Sequence, residues 1–249
     1  MSGHSKWSQI KRQKGVTDSR RGQLFTKLGR EVTMAARQGG ADPESNFRLR
    51  LAVQRARDSN MPNETIERAL KRGAGGSDAA ELHEITYEGY GPGGTAIMVD
   101  VLTDNRNRSA AELRAAFTRA GGNLGEAGCV AWLFDNRGVI SVNVDGVDAE
   151  AIELAAIDAG AEDVRSEDGA VEIVTAPNEL EAVRRALTEQ KIAIASAETS
   201  MVPKTVVELD TKEGAQAFRL LERLEELDDV QRVYSNADFP DEVLAEMQG

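Results

Sequence analysis

VISVNVDGVDAEAIELAAIDAGAEDVRSEDGAVEIVTAPNELEAVRRALTEQKIAIASAETS, residues 139–200, is the stretch that decides the fold of this chain. Its periodicity predicts the order strand, helix, strand, strand, helix, strand. Asp148 caps the first predicted helix and Pro177 opens the second. Glu167-Asp168-Gly169 makes a hairpin turn between the two middle strands. This order predicts a ferredoxin-like split βαβ unit.

The segments on either side of this stretch each contain part of a second α/β unit. Residues 81–138 and 204–238 each have too few strands to cover their own helix, so we expect them to form one domain into which the ferredoxin-like unit is inserted. The first segment predicts strands at Glu84–Glu88, Thr95–Leu102 and Cys129–Phe134, and a helix opened by the capping box Ser109–Glu112. The second predicts a strand at Thr205–Leu209, a helix at Lys212–Glu226 and a strand at Gln231–Tyr234.

The N-terminal third has helical periodicity. Helices are predicted at about 19–38, 42–59 and 62–72, the second one capped at Asp42-Pro43. The fold class is therefore α+β and multidomain, with an N-terminal helical domain and two ferredoxin-like α/β domains, one inserted in the other. The predicted boundaries are 1–78 for the basic helical domain with its arm, 79–138 plus 204–238 for the discontinuous domain, 139–203 for the insertion and 239–249 for a tail.

Charge is divided unevenly along the chain, whose formal net charge is −12. Residues 1–80 contain 16 Lys/Arg and 8 Asp/Glu, a balance of +8, and the remainder has a balance of −20. Screening limits the reach of exposed charge to ~8–10 Å, so local charge decides which partners are contacted. This asymmetry predicts that the basic end meets a polyanion, although a merely solvated surface is the alternative.

The basic N-terminal segment is the predicted nucleic-acid-binding region. Its cations are interspersed with Ser, Gln, His and Trp, a mixture that suits bonds to phosphate and stacking of an indole on a base. Binding should be carried mainly by backbone charge, because no aromatic pair of the RNA-recognition type lies on a strand. The candidate residues are His4, Lys6, Trp7, Lys11, Arg12, Lys14, Arg20, Arg21, Lys27 and Arg30.

A second candidate contact lies in the acidic part, in Asp104-Asn105-Arg106-Asn107-Arg108. The guanidinium groups of Arg106 and Arg108 suit phosphate oxygens, so a secondary polyanion contact is one interpretation. The alternative is a polar connection in which each Arg pairs with nearby carboxylates.

Other chemistry finds little support. The glycine-rich run Gly89–Gly94 lacks the Lys and Ser/Thr of a phosphate loop and precedes a strand, so a turn is expected. His4 and His83 are far apart, and no metal-ligand spacing surrounds them. Cys129 fits a core thiol. We therefore predict no catalytic residues, no metal, no cofactor and no small-molecule substrate.

The compartment can also be inferred from the composition. A single cysteine excludes an internal disulfide and suits a reducing environment. No window approaches the ~18 apolar residues of a membrane span, and the basic N-terminus lacks the apolar core of a secretory signal. The predicted location is the cytoplasm, with no membrane partner.

Several blocks of the chain resemble the signature of the YebC/PmpR family. They are Gly3–Trp7, Phe25–Leu28, Tyr87–Gly94, Asp104–Arg108, Gly121–Gly125 and Val233–Asn236. The resemblance implies three domains, the third inserted in the second. It also implies a bacterial, non-enzymatic, DNA-binding regulator of transcription. The alternative that it implies is a translation factor or translational activator on the ribosome, which binds ribosomal or transfer RNA and relieves stalling at proline runs, since relatives include a mitochondrial translational activator.

Overall fold

A computed structural model describes residues 18–75, 82–144, 148–167 and 169–248 of the 249-residue chain. Over these residues a helical unit precedes two four-stranded antiparallel sheets. The predicted α+β class, with an N-terminal helical region followed by mixed α/β sheets, is confirmed. Among the described residues, no helix combines the length and the apolar content that crossing a bilayer requires.

The helical unit consists of α1 (Asp18–Gly39), α2 (Phe47–Asp58) and α3 (Asn63–Gly73). Apolar residues of all three helices form one buried cluster, which includes Val32, Leu49 and Ile66. This burial removes apolar surface from water and is the main stabilisation of the unit.

The predicted start of α2 at Asp42-Pro43 is wrong, because Asn46 is the cap. Its side-chain oxygen accepts a hydrogen bond from the Leu49 amide at 3.1 Å. Its side-chain nitrogen donates to the carbonyls of Ala35 and Gly40, both at 2.8 Å. Asn46 therefore caps the start of α2 and also donates hydrogen bonds to carbonyl groups at the end of α1. One side chain thus pairs backbone groups that two helix ends would otherwise leave unpaired.

The first sheet and its helices consist of β1 (His83–Tyr90), β2 (Ala96–Thr103), α4 (Arg106–Arg119), β3 (Asn123–Leu124), α7 (Thr211–Glu225) and β9 (Val230–Ser235). The strand order is β3-β1-β2-β9, and every neighbouring pair is antiparallel. Helices α4 and α7 pack on one face of the sheet through Leu113, Phe117, Phe218 and Leu221, all fully buried.

The predicted capping box at Ser109 is also wrong. Helix α4 begins one turn earlier, with Asn105 as its cap and a bond from the Arg108 amide to the Asn105 side chain at 3.1 Å. The Ser109 hydroxyl is buried and bonds to Thr103 and Asp229 instead. The capping-box pattern was misleading because the Ser serves a tertiary contact.

The second sheet and its helices consist of β4 (Phe134–Asn143), α5 (Ala149–Asp158), β5 (Asp163–Glu167), β6 (Ala170–Thr175), α6 (Leu180–Glu189) and β7 (Ile194–Pro203). The strand order is β5-β6-β4-β7, and every neighbouring pair is antiparallel. One core joins strands and both helices through Ile140, Ile152, Ile173 and Leu180. The predicted ferredoxin-like order of elements is confirmed here, and Asp148 is the cap of α5 as predicted.

Three predicted elements of the α/β part differ from the structure. Cys129–Phe134 is not a strand, because a short 3₁₀ turn at Ala131–Leu133 precedes β4. Helix α6 begins at Leu180, three residues after Pro177. The strand predicted at Thr205–Leu209 shrinks to β8 (Val207–Glu208), whose partner is β10 (Ala237–Asp238) in a separate parallel pair. A last helix, α8 (Asp241–Gln248), follows.

The proposed domain boundaries stay predictions. The first sheet combines strands from residues 83–124 with β9, and the strands of the second sheet lie between them in sequence. β4 is continuous from Phe134, so it crosses the predicted boundary after residue 138. A boundary before Phe134 would keep each sheet's strands whole.

Candidate nucleic-acid interface

The predicted phosphate-binding residues fall into two groups. Those of the arm lie outside the described residues, and they are His4, Lys6, Trp7, Lys11, Arg12 and Lys14. Arg20, Arg21, Lys27 and Arg30 lie on α1, whose first two turns include Arg20 and the exposed Arg21. The two groups adjoin each other in sequence where α1 begins.

Lys27 and Arg30 contact the α/β part of the protein. The Lys27 ammonium group donates to the Glu225 carbonyl. Arg30 donates to the Asp228 carbonyl at 2.8 Å and to the Asp229 carboxylate at 3.0 Å. These contacts tie α1 to the end of α7, so either side chain would have to leave an existing partner in order to bind phosphate.

Asp229 is the centre of this contact, and its side chain is only 5% exposed. One carboxylate oxygen bonds to Arg30, and the other accepts bonds from Thr103 at 2.9 Å, Arg108 at 2.7 Å and Ser109 at 2.8 Å. Burial alone would raise the pKa of Asp229, but these bonds outweigh burial and hold the pKa below its ordinary value.

Arg106 and Arg108, the predicted secondary polyanion contact, have different partners. Arg108 pairs with Asp229 and with Asp104, at 2.7 and 3.0 Å. The Asp104 contact is the kind of local carboxylate pairing that the alternative interpretation described, whereas Asp229 lies 121 positions away in sequence. Arg106 is exposed and lies 2.9 Å from the Nδ1 atom of His83.

A second charged cluster joins all three parts of the chain. Glu31 of α1 accepts bonds at 3.0 Å from Arg55 of α2 and from Arg232 of β9. Arg55 also reaches Glu198 of β7 at 3.3 Å, and Arg232 donates to the Thr199 carbonyl at 2.9 Å. Burial alone would lower the pKa of Arg232. The neighbouring anionic groups, of which the Glu31 carboxylate has the largest effect, outweigh burial and raise the pKa above its ordinary value. Sequence reasoning missed this cluster, because its members are up to 201 positions apart and no local pattern connects them.

A buried carboxylate organises the loop before β4. Glu88 accepts bonds from the amides of Gly128, Val130 and Ala131, at 2.6, 2.8 and 2.7 Å. Burial opposes ionisation, but the three amides outweigh it and lower the pKa of Glu88. Burial and then the Glu88 charge raise the pKa of the Cys129 thiol, which disfavours a thiolate nucleophile. In the described ranges no three His, Cys, Asp or Glu side chains are grouped so that they could hold a metal ion.

Together, the fold and these contacts define a multidomain α+β protein in which ion pairs lock a basic helical unit onto two acidic α/β sheets. The chain belongs to the TACO1/YebC family, which confirms the resemblance seen in its signature blocks. Residues 5–76 match the TACO1/YebC protein N-terminal domain, and residues 82–237 match the TACO1/YebC second and third domain.

Relatives of similar length cover nearly the whole chain. A protein of Moorella thermoacetica is 55% identical in an alignment of 250 positions that covers 99% of both chains, and one of Chloroflexus aurantiacus is 53% identical in an alignment of 248 positions that covers 98% of both. Both relatives carry the name "Probable transcriptional regulatory protein". The crystal structure of a conserved hypothetical protein from Aquifex aeolicus is 45% identical, with a TM-score of 0.84, and the match covers 90% of this chain and 92% of that one.

Proposed function

We propose that this protein is a non-enzymatic, nucleic-acid-binding regulatory protein located in the cytoplasm, and that it regulates transcription by binding DNA. One observation carries the proposal: eight of the 30 Lys/Arg lie in the first thirty residues, where only Asp18 opposes them, in a chain of net charge −12. The names of the relatives support the choice of transcription.

Binding would be dominated by contacts to phosphate. Arg20 and Arg21 open α1 and continue the basic run of the arm, so the arm and the first turns of α1 form one cationic strip in sequence. Such contacts supply affinity without selecting a sequence. The acidic α/β sheets would repel the same polymer and orient it toward the basic end.

Binding to structured RNA on the ribosome is the second candidate function. Reading base edges usually requires a rigid helix that can enter the major groove. The middle of α1 is occupied on both sides, because Leu28 and Val32 pack inward while Lys27 and Arg30 contact the end of α7. That arrangement favours recognition of a backbone or of an RNA shape over recognition of a DNA sequence.

The first experiment measures the charge dependence of binding. Lys11, Arg12, Lys14, Arg20 and Arg21 are replaced together by Gln in the full chain, and binding to a labelled duplex is titrated at several salt concentrations. We expect the log–log slope to fall by roughly 0.9 for each lost phosphate contact. A control variant of equal charge replaces the more distant Arg114, Arg165, Arg185, Lys191 and Lys212. Equal slopes for both variants would contradict a role for the arm.

A second experiment separates the two candidate partners. Lysates are fractionated on sucrose gradients, and nucleic acid crosslinked to the protein in cells is sequenced. Recovery of genomic DNA with the protein outside the ribosomal fractions supports transcription. Consistent co-migration with ribosomes, together with crosslinks to ribosomal or transfer RNA, would replace the transcription proposal by the translation candidate.

A further inference from the structure

A groove runs between α4 and α7 on the helical face of the first sheet. Two adjoining cavities of about 680 and 690 Å³ form it, and they share Ala116, Arg119 and Arg223 as lining residues. One cavity reaches Gln23 and Arg30 of α1, and the other reaches Pro92 and Gly93 at the glycine-rich turn. The groove therefore extends from the basic helix along the α/β body.

The two ends of the groove differ in charge. The end near α1 is lined by four arginines and five carboxylates, a balance of −1, and Arg30 and Arg108 there are already bonded to Asp229. The end near the glycine-rich turn is lined by Arg119, Arg219 and Arg223 against Glu213 alone, a balance of +2, and Arg119 and Arg223 are included in both counts because they line both cavities. The local excess of arginine at this end attracts anions.

The arginines of the basic end have few contacts of their own. Arg119 and Arg219 are exposed, and within the described part of the chain neither side chain makes a hydrogen bond or an ion pair. Arg223 makes one pair with Glu226, at 3.3 Å, and both of these side chains are at least half exposed. Such a pair contributes little to stability, so Arg223 can exchange Glu226 for another anion at small cost.

The floor of this end is open to a large group. Gly93 and Gly121 line it without side chains, and both have positive φ, at 66° and 81°. Any other residue would be strained in that backbone conformation, and at Gly93 an added Cβ would also collide with a methyl carbon of Leu209. Planar guanidinium groups around an open floor suit the oxygens of a phosphate, which they can hold through two parallel hydrogen bonds.

We propose that Arg119, Arg219 and Arg223 bind successive phosphates of a nucleic-acid backbone in the groove between α4 and α7. This inference rests on the proposed function and extends it. It places the secondary polyanion contact at the far end of the groove, away from Arg106 and Arg108.

The test compares two double variants of the full-length protein. Arg119→Gln with Arg219→Gln removes two groove charges. The control, Arg114→Gln with Arg185→Gln, also removes two exposed charges. Arg114 lies on α4, as Arg119 does, and Arg185 lies on α6, and neither position lines the groove. Each protein is titrated with a fluorescein-labelled 20-nucleotide RNA and with a 20-base-pair DNA duplex between 50 and 200 mM NaCl.

We expect the groove variant to lose about 1.4 in log–log slope on the RNA or about 1.8 on the duplex, relative to the control variant. Arg119→Lys with Arg219→Lys keeps the charge and should restore the slope. Only a polyelectrolyte gives such a slope, so the result would also distinguish a polymer from free phosphate. Identical slopes for the groove and control variants, with intact binding by the unmodified protein, would overturn the groove alone. Absence of binding by the unmodified protein at 50 mM NaCl would overturn the proposed function as well.

Discussion

The junction around Asp229 and Glu31 and the groove between α4 and α7 both depend on arginine, but they use it in opposite ways. At the junction, Arg30, Arg108 and Arg232 meet carboxylates or carbonyls at 2.7 to 3.0 Å. In the basic end of the groove, Arg119 and Arg219 have no such partners among the described residues. The difference indicates that the role of an arginine here depends on which carboxylates the fold brings to it, and not on the local sequence.

The largest effect on stability is expected at Arg232. Replacing it by Met removes a cation whose side chain is 23% exposed. Glu31 and Glu198 keep their shared partner Arg55 but lose this second cation, and the Thr199 carbonyl loses its donor, so the free energy of unfolding should fall by about 3 kcal/mol. Urea denaturation followed by circular dichroism measures the change. Arg223→Met, at an exposed pair, is the matched control and should cost less than about 1 kcal/mol. Similar losses for the two variants would remove the distinction between junction and groove.

Asp229→Asn should have the next largest effect, about 2 kcal/mol at pH 7, because the guanidinium groups of Arg30 and Arg108 lose a buried counter-charge. The folded-state pKa of Asp229 lies below its unfolded value, so its carboxylate stabilises the fold above about pH 4, and this stabilisation is lost as the pH falls through the lower folded-state pKa. The difference between the wild-type protein and the variant should therefore shrink below about pH 4.

The exposed carboxylate of Asp104 provides the control for this prediction. It contacts the same Arg108 at 3.0 Å, but about half of its side chain is exposed. Asp104→Asn should change the free energy of unfolding by less than about 1 kcal/mol. A pH-independent difference for Asp229→Asn would show that its charge is not the cause.

Glu88 tests whether backbone amides can replace arginines as partners of a buried carboxylate. Glu88→Gln keeps one acceptor oxygen but places an NH₂ group against the amide or amides that the other oxygen accepted, Gly128 on one side or Val130 and Ala131 on the other, and it should cost about 1.5 kcal/mol. The loop that it loosens ends at Trp132, which is 65% exposed. In a Trp7→Phe background, the emission of Trp132 should report the change before global unfolding. Glu84→Gln is the control, since an exposed arginine holds that carboxylate. Unchanged emission would argue against the amide contacts.

The smallest effect is expected for Arg119→Gln with Arg219→Gln. Neither side chain has a partner within the described ranges, so the free energy of unfolding should stay within about 0.5 kcal/mol of the wild-type value. The same urea experiment measures it. A loss above 1 kcal/mol would mean that these arginines stabilise the fold, as those of the junction do.

Much of the fold follows from periodicity, because each helix and most strands bury one regular face. Several of the errors arose where a side chain had a distant partner. Ser109 bonds to Asp229 while Asn105 caps the helix, and Asn46 caps α2 while it also bonds to the end of α1. Cys129–Phe134 is apolar but is held as a turn by Glu88, some 40 residues earlier. Pattern reasoning over short windows cannot detect such contacts.

Less of the candidate site than of the fold could be predicted from the sequence. The charge asymmetry pointed to the N-terminus, and the role of that segment stays a prediction. Which arginines are committed to carboxylates could not be inferred, since Arg30 and Asp229 are 199 positions apart. The one local signal for the groove was the pair Arg219 and Arg223, four residues apart on one helix face.

The position of β9 has a consequence for biosynthesis. Its partner β2 ends at Thr103, whereas β9 begins at Val230, so more than a hundred residues must be translated before that edge of β2 is paired. Strands β4 to β7 are complete by Pro203, so the later sheet can close while the earlier one is still open. A nascent chain that stalls in this interval exposes an unpaired strand edge, the feature that most readily templates aggregation.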